Sequence, residues 1–507
     1  MLRTQSVRSV RAGENVNRIV VNTDRVVGTV DRRILGGFAE HMGRCIYGGV
    51  FDEGSPLANA EGFRTDVLDA VRALRPPVLR WPGGNFVSGY HFQDGLGPIE
   101  ARPRRFDAAW RTEESNRFGT DEFMRLCELV GAEPYLCLNM GTGTLDEARD
   151  WLEYCNGTGN SHAARQRRAN GHDEPYAVRY FGLGNEVYGE WQIGHLGAGD
   201  YVKAAREWAK VLTWTDPSIE LVACGETGWS DWDETVISGL AAFVRYYSIH
   251  LYTGSEDYWS NVLAPHQAER AVRITSALIE KARYNQRLAH RIDVAYDEWN
   301  VRVASRFFND TATTEIYTLA DALAVATYVH GFVRNAAVVK MANLAQLVNV
   351  LAPIMTSPEG IVLQSIYHPL RLFGEHLEGE ALDVAVSCPR HHLHEVLDGP
   401  EAHRVADLGP FPVLDAVAWR SKDQGALWVS VVNRAEEDVT AELALWPEVG
   451  IGAASIERVE ASDWRDTNTF AHPNEVGVVA ERLDEPPGAL RQVFPAHTHS
   501  VIALTLA

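Results

Sequence analysis

The sequence predicts an α/β chain built as a (β/α)8 barrel, followed by an all-β sandwich domain. Three observations carry that reading. Eight short apolar runs end in polar or glycine residues, amphipathic stretches with helical spacing lie between them, and after about residue 378 the pattern changes to short alternating segments separated by turn residues. Eight is the number of strands that closes a parallel barrel.

Taken in order, the first alternating segment is RIVVNTDRVVGTV near the N-terminus, which reads as an extended strand outside the barrel. Residues 1–29 are therefore assigned to the C-terminal sheet, 30–378 to the barrel and 379–507 to the sandwich. The eight barrel strands are RILGGFAE (33–40), PVLRWPGG (77–84), EPYLCLNM (133–140), VRYFGLGNE (178–186), ELVACGE (220–226), YYSIHLYT (246–253), DVAYDEW (293–299) and VVKMANLAQ (338–346). Stretches such as 65–75, 200–212, 266–283 and 319–333 return apolar residues every three or four positions, as helices of an outer ring do. Beyond residue 378, segments such as PVLDAVAWRS, GALWVSVVNR and HSVIALTLA alternate with period two, as sandwich strands do.

Composition narrows the function. The 507 residues are 46% hydrophobic and 23% charged, a globular balance, and 47 basic against 68 acidic residues leave a net charge of −21. A surface of that sign repels phosphate backbones and anionic lipid, so neither nucleic acid nor a membrane is expected as a partner. The six cysteines form no C-x-x-C and no paired spacing, so neither a disulfide framework nor a zinc site is expected. Histidines 391, 392, 394, 497 and 499 read as surface residues, not as a metal site. The N-terminal segment lacks the apolar core of a secretory signal, which places the chain in the cytoplasm and makes the glycosylation triplets at Asn156 and Asn309 chance matches. There is no third glycine for a dinucleotide loop and no G-x-S-x-G elbow, which disfavours a nucleotide-binding enzyme and a serine hydrolase.

The chemistry-bearing residues cluster at the strands' C-terminal ends, the catalytic face of a barrel. They are Glu40, Arg80 with Asn85 just beyond it, Asn139, Asn185 with Glu186, Glu226, His250 with Tyr252, Glu298 and Gln346. Glu186 closes strand four and Glu298 strand seven, so the barrel brings the two together although they are far apart in the chain. A facing carboxylate pair is the apparatus of glycoside hydrolysis. A separation of about 5–5.5 Å allows direct attack on the anomeric carbon, and roughly 6.5–9.5 Å leaves room for an intervening water. Trp191, Trp299 and Tyr252 offer aromatic faces for a sugar ring.

The strings GGFAEHMGRCIYGGVFDEGSP (36–56), LRWPGGNFVSGYHFQDGLGP (79–98), YFGLGNEVYGEWQIGH (180–195), IHLYTG (249–254), YDEWNV (296–301) and ANLAQLVNVLAPI (342–354) together resemble glycoside hydrolase family 51, whose principal members are α-L-arabinofuranosidases. The resemblance spans nearly the whole chain. It implies a retaining double displacement on terminal α-L-arabinofuranosyl groups of arabino-oligosaccharides, with Glu186 as acid/base and Glu298 as nucleophile. It also implies that Glu40, Arg80, Asn85, Asn185, Tyr252 and Gln346 bind the sugar, that no cofactor or metal takes part, and that the chain forms a homo-oligomer, a hexamer in many members. Asn139, Glu226 and His250 are left with structural roles, as partners that fix a catalytic carboxylate. The mechanism requires Glu186 to start protonated and Glu298 to stay ionised through donors such as Arg80 or Tyr252. One stretch departs from the family pattern: RFFNDTATTEIYTL (306–319) is shorter and richer in threonine. The runner-up within enzymes is another retaining barrel glycosidase acting on β-glucan or xylan, and from a different class a non-catalytic carbohydrate-binding protein.

Overall fold

The computed structural model describes residues 16–303, 315–393, 405–483 and 490–506. Asn309, His394 and most of the 306–319 stretch lie outside the described residues. All eight predicted barrel strands form one closed parallel barrel in chain order: Gly36–Phe38, Val78–Trp81, Glu133–Cys137, Tyr180–Leu183, Glu220–Ala223, Tyr246–Thr253, Asp293–Val301 and Val339–Leu344. Each strand is followed by at least one helix on the outside, such as Thr65–Leu74 after the first and Tyr367–His376 after the eighth. The lower barrel is packed solid by Val78, Tyr135, Tyr180, Val222, Tyr246, Ala295 and Met341, one side chain from each strand but the first. The six cysteines are free. Among the described residues no helix is long and apolar enough to cross a membrane.

The predicted sandwich region, joined by the N-terminal strand, forms a single nine-stranded sheet. From one edge it runs Gly477–Leu483, Ile451–Glu460, Thr498–Leu506, Ala426–Asn433, Leu414–Arg420, Glu380–Ser387, Asn17–Thr29, Val439–Trp446 and Leu490–Phe494. Its N-terminal member, Asn17–Thr29, pairs antiparallel with Glu380–Ser387 and parallel with Val439–Trp446. Alternation along the strands sorts two buried faces. Leu414, Ala416, Ala418, Leu427, Val429 and Val431 belong to the sheet's own core, whereas Val417, Trp419 and Val432 belong to the core shared with the barrel.

The helix Leu319–Arg334 lies at that junction. Every residue from Leu319 to Val333 is buried, including the polar Asp321, Thr327 and His330, each of which finds a partner. Its N-terminus is capped by Thr318 and Asp321, and the amides of Leu319 and Ala320 donate to the carbonyls of Asp466 and Trp464 in the sheet domain. Beneath it runs a buried polar chain. Asp415 accepts from Arg334 (3.0 Å), pairs with Arg434 (3.0 Å), and meets His330 Nδ1 at 2.9 Å. His330 Nε2 lies 2.7 Å from Ser430 Oγ, which lies 2.8 Å from His499 Nε2.

Because Asp415 can only accept, the donors are ordered: His330 Nδ1–H to Asp415, Ser430 O–H to His330 Nε2, and His499 Nε2–H to Ser430. His330, with both ring nitrogens engaged, cannot gain a proton without breaking this order. His499, expected at the surface, is therefore a fully buried interface residue. Burial lowers the pKa of His330, outweighing Asp415, and burial together with His330 holds His499 well below its ordinary value. The unfolded chain protonates both through the ordinary histidine range while the folded chain does not, so stability is lost as pH falls through that range. The melting temperature is expected to drop between about pH 7.5 and about pH 5.5, and to drop less in His499→Gln, whose neutral amide still donates to Ser430. Equal slopes in melting experiments would show that His499 is not one of the titrating groups.

Candidate active site

Strand seven carries two consecutive acids, Asp297 and Glu298, that would point to opposite faces in a regular strand. Its ladder slips against strand six between Ala295 and Glu298, and against strand eight between Tyr296 and Trp299. This bulge turns both carboxylates into the barrel. On strand six the inward face is set by period two, with Ser248, His250 and Tyr252 all reaching the acids. Glu186 lies three residues past strand four, at a positive φ of 42° that few side-chain-bearing residues adopt.

The two glutamates meet over His250. Its Nδ1 is 2.9 Å from Glu186 Oε1 and 3.5 Å from Glu298 Oε2, and the ligand-type atoms of all three residues lie within 4.8 Å of one another. Glu298 is gripped on its other sides. Arg80 Nη1 donates to Oε2 (2.9 Å) and Tyr252 Oη to Oε1 (2.8 Å), while Arg80 Nη2 donates to Asn185 Oδ1 (2.6 Å). Glu186 accepts from Trp191 Nε1 (2.9 Å) and Tyr188 Oη (3.2 Å).

Glu40 forms a second wall. Its carboxylate accepts from the Phe86 amide (3.0 Å), Trp110 Nε1 (2.9 Å) and Gln346 Nε2 (3.1 Å). The W-P-G-G motif makes room for it. A Cβ on Gly83 would fall 2.5 Å from Glu40 Cγ, and one on Gly84 would fall 2.9 Å from Oε2. Asn85 then opens the short 3-10 helix Asn85–Gly89 that carries the Phe86 amide.

Electrostatics at the site differ from the sequence expectation. Burial raises the pKa of Glu186, but His250, Trp191 and Tyr188 outweigh it and the net shift is downward. Burial lowers His250, yet Glu298, Asp297 and Glu186 push it up to about 10. The resting proton thus sits on the imidazole and not on Glu186. Burial, opposed in part by the Phe86 amide, raises Glu40 to about 8. The Glu186–His250–Glu298 spacing would also suit a cation, but here the imidazolium supplies the positive charge between the carboxylates. A second such group, Glu375, His376 and Glu457, lies between the last barrel helix and the sheet, with Arg371 2.5 Å from Glu375 and 3.9 Å from Glu457.

Arg80, Asn185, Glu186, Tyr252 and Glu298 are thus joined through direct contacts or shared partners, Glu40 and Gln346 are joined to each other, and Asn85 lies beside the Glu40 wall. Asn139 instead organises a loop, donating to the Tyr90 carbonyl and accepting from the amides of Gly141 and Thr142. Glu226 is half-buried beside Ser230 and Asp233. His250, read as a structural partner that fixes a catalytic carboxylate, contacts both glutamates. Trp299 is a core residue packed on Tyr328 and Phe332 and presents no face to the site, whereas Trp191 is 63% exposed. The sequence reading missed Asp297, Ser248, Tyr135 and Trp110. The period-two row Ser248, His250, Tyr252 was a usable signal for Ser248, while Trp110 comes from a loop with no periodicity.

Paired carboxylates this close, at the C-terminal mouth of a (β/α)8 barrel, define a barrel glycoside hydrolase. Comparison with known proteins narrows the class. Models described as the α-L-arabinofuranosidase 1 domain and the α-L-arabinofuranosidase C-terminal domain match residues 70–270 and 297–498. A probable α-L-arabinofuranosidase C of Aspergillus clavatus is 41% identical, covering 96% of each chain. The intracellular exo-α-(1→5)-L-arabinofuranosidase 1 of Bacillus subtilis is 36% identical over 90% of this chain and 93% of its own. Among solved structures, the α-L-arabinofuranosidase of Thermotoga maritima in its arabinose complex superposes with a TM-score of 0.89 at 39% identity, covering 97% of this chain and 100% of that one. The family 51 enzyme of Thermotoga petrophila gives 0.89 at 40%, covering 96% and 99%. The chain belongs to the α-L-arabinofuranosidases of glycoside hydrolase family 51.

Gly84 tests the Glu40 wall, because a methyl group added there would fall 2.9 Å from Glu40 Oε2. Glu40 is pinned by three donors and cannot yield freely to a new methyl group. Gly84→Ala is expected to lower kcat/KM on an aryl α-L-arabinofuranoside by about tenfold or more at a temperature where the variant is folded, as small misplacements of a site group do. Unchanged kcat/KM would detach Glu40 from turnover.

Proposed function

We propose that this chain releases terminal non-reducing α-L-arabinofuranosyl residues from arabinosides and short arabino-oligosaccharides with retention of configuration, using Glu298 as nucleophile and Glu186 as acid/base. One observation carries the reading: an oxygen of Glu186 and an oxygen of Glu298 lie within 4.8 Å of each other at the barrel mouth, both facing His250 Nδ1, a close pairing that favours the retaining geometry.

The chemistry follows from the contacts. Arg80 and Tyr252 hold Glu298 as an acceptor-only anion with an oxygen available to the anomeric carbon. As the glycosidic bond breaks, the Glu186–His250 pair supplies the proton for the leaving oxygen, and an arabinosyl ester forms on Glu298. Esterification removes the charge on Glu298, the largest of the influences that hold the proton on His250. Glu186 then takes a proton from the water that cleaves the ester.

The remaining polar wall suits a furanose with several hydroxyls. Glu40 and Gln346 form one hydrogen-bonded side, with Asn85 beside it, and Arg80 orients Asn185. The Asn185 Nδ2 group is buried without an acceptor among the described residues, which supports a donor role toward a sugar hydroxyl. The intracellular naming of the Bacillus relative supports cytoplasmic action on imported oligosaccharides. A homo-oligomer belongs to the same reading, on the family resemblance alone.

Glu298→Ala is expected to abolish turnover. Glu186→Ala should lose about 10²- to 10⁴-fold on alkyl arabinosides with poor leaving groups and far less on para-nitrophenyl arabinoside, with azide restoring part of the rate. Proton NMR should show the α-anomer of arabinose formed first. Equal losses on both substrates, or a β-anomer first, would defeat the assignment.

A further inference from the structure

Asp297 has no part in the reaction described above, yet three donors and a cation converge on it. Tyr135 Oη donates to Oδ2 (2.7 Å), Ser248 Oγ donates to Oδ1 (2.5 Å), His250 Nε2 lies 3.2 Å from Oδ1, and Arg80 Nε lies 3.6 Å from Oδ2. The carboxylate is 2% exposed. Burial would raise its pKa, but Arg80, His250 and Ser248 hold it below the usual carboxylate range, so it stays an anion.

An anion at 3.2 Å keeps His250 Nε2 protonated, because a bare nitrogen there would set two lone pairs against each other. The imidazole is left with one labile nitrogen, Nδ1. That nitrogen faces Glu186 at 2.9 Å and Glu298 at 3.5 Å. The charged groups around the ring are Glu186, Asp297, Glu298 and Arg80, while Tyr188 and Tyr252, buried and beside carboxylates, stay neutral.

We infer that Asp297 is a positioning residue: it fixes His250 with Nε2 protonated, so that Nδ1 stores the proton that Glu186 delivers to the leaving oxygen. The inference rests on the acid/base reading of Glu186. In the first step the bond between the anomeric carbon and the leaving oxygen breaks, and its electron pair goes to that oxygen. A bond from the anomeric carbon to Glu298 forms, and one proton passes from the His250–Glu186 pair to the aglycone. In the second step water bonds to the anomeric carbon, the ester bond breaks with its pair returning to Glu298, and the water's proton restores the His250–Glu186 pair.

Two measurements test it. With Asp297→Asn, kcat/KM is expected to fall by about a hundredfold or more on an alkyl arabinoside and much less on para-nitrophenyl arabinoside, in line with lost proton delivery. The alkaline limb of the pH profile should move to lower pH, because a neutral amide no longer favours the imidazolium. Asp297→Glu should recover part of the loss. Equal losses on both substrates with an unmoved limb would overturn the inference. In the wild-type enzyme labelled with 15N-histidine, the His250 Nε2 resonance should stay protonated across the titration while Nδ1 loses its proton. Loss at Nε2 first would overturn the inference whether or not the variant folds. If Glu186→Ala shows no dependence on leaving group, the underlying acid/base reading fails; if it does and Asp297→Asn does not, only the role of Asp297 fails.

Discussion

One guanidinium inside the barrel sets the terms for the rest of the site. Arg80 is 1% exposed, and a buried cation persists only where anions and acceptors surround it. It finds Glu298 on strand seven, Asn185 beyond strand four and, at longer range, Asp297, while its plane lies over the Phe38 ring of strand one. Four strands are thereby tied to one charge. Removing that charge would leave two buried carboxylates with His250 as their one remaining cation, so the residue that organises the nucleophile also underwrites the fold at the mouth.

Of the two negative charges left after Arg80, His250 meets one. With the imidazole protonated, the inner cluster of Asp297, Glu298 and Glu186 faces two cations. Moving that proton to Glu186 leaves the total unchanged and crosses a single hydrogen bond. A cluster built this way can relocate a proton without importing one from solvent, which is what a catalytic acid that must later act as a base requires. The bulge in strand seven makes it possible, since a regular strand would send Asp297 to the outside of the barrel and leave His250 Nε2 without its anion.

The same logic recurs, without catalysis, at the junction of barrel and sheet. Asp415 gathers Arg334, Arg434 and His330, and Ser430 passes the order on to His499. A fully buried helix with polar residues on its sheet-facing side joins the two layers both by apolar area and by a fixed direction of donors. The barrel thus gains a rigid backing for strands six to eight, from which His250, Tyr252, Glu298 and Gln346 project.

The amino-acid sequence by itself determined the eight barrel strands, the order of the helices and the two glutamates, because periodicity and strand-end position are local properties that tertiary contacts do not erase. It also marked Glu40, Arg80, Asn185 and Gln346, since polar residues closing apolar runs at one barrel face have few other reasons to be there. Only the tertiary structure decided where the proton rests, that Trp299 packs in the core while Trp110 reaches Glu40, and that Asp297 shares the interior with its neighbour. Each of these depends on a ladder slip, a loop path or a balance of buried charges, and those are set by contacts between segments far apart in the chain.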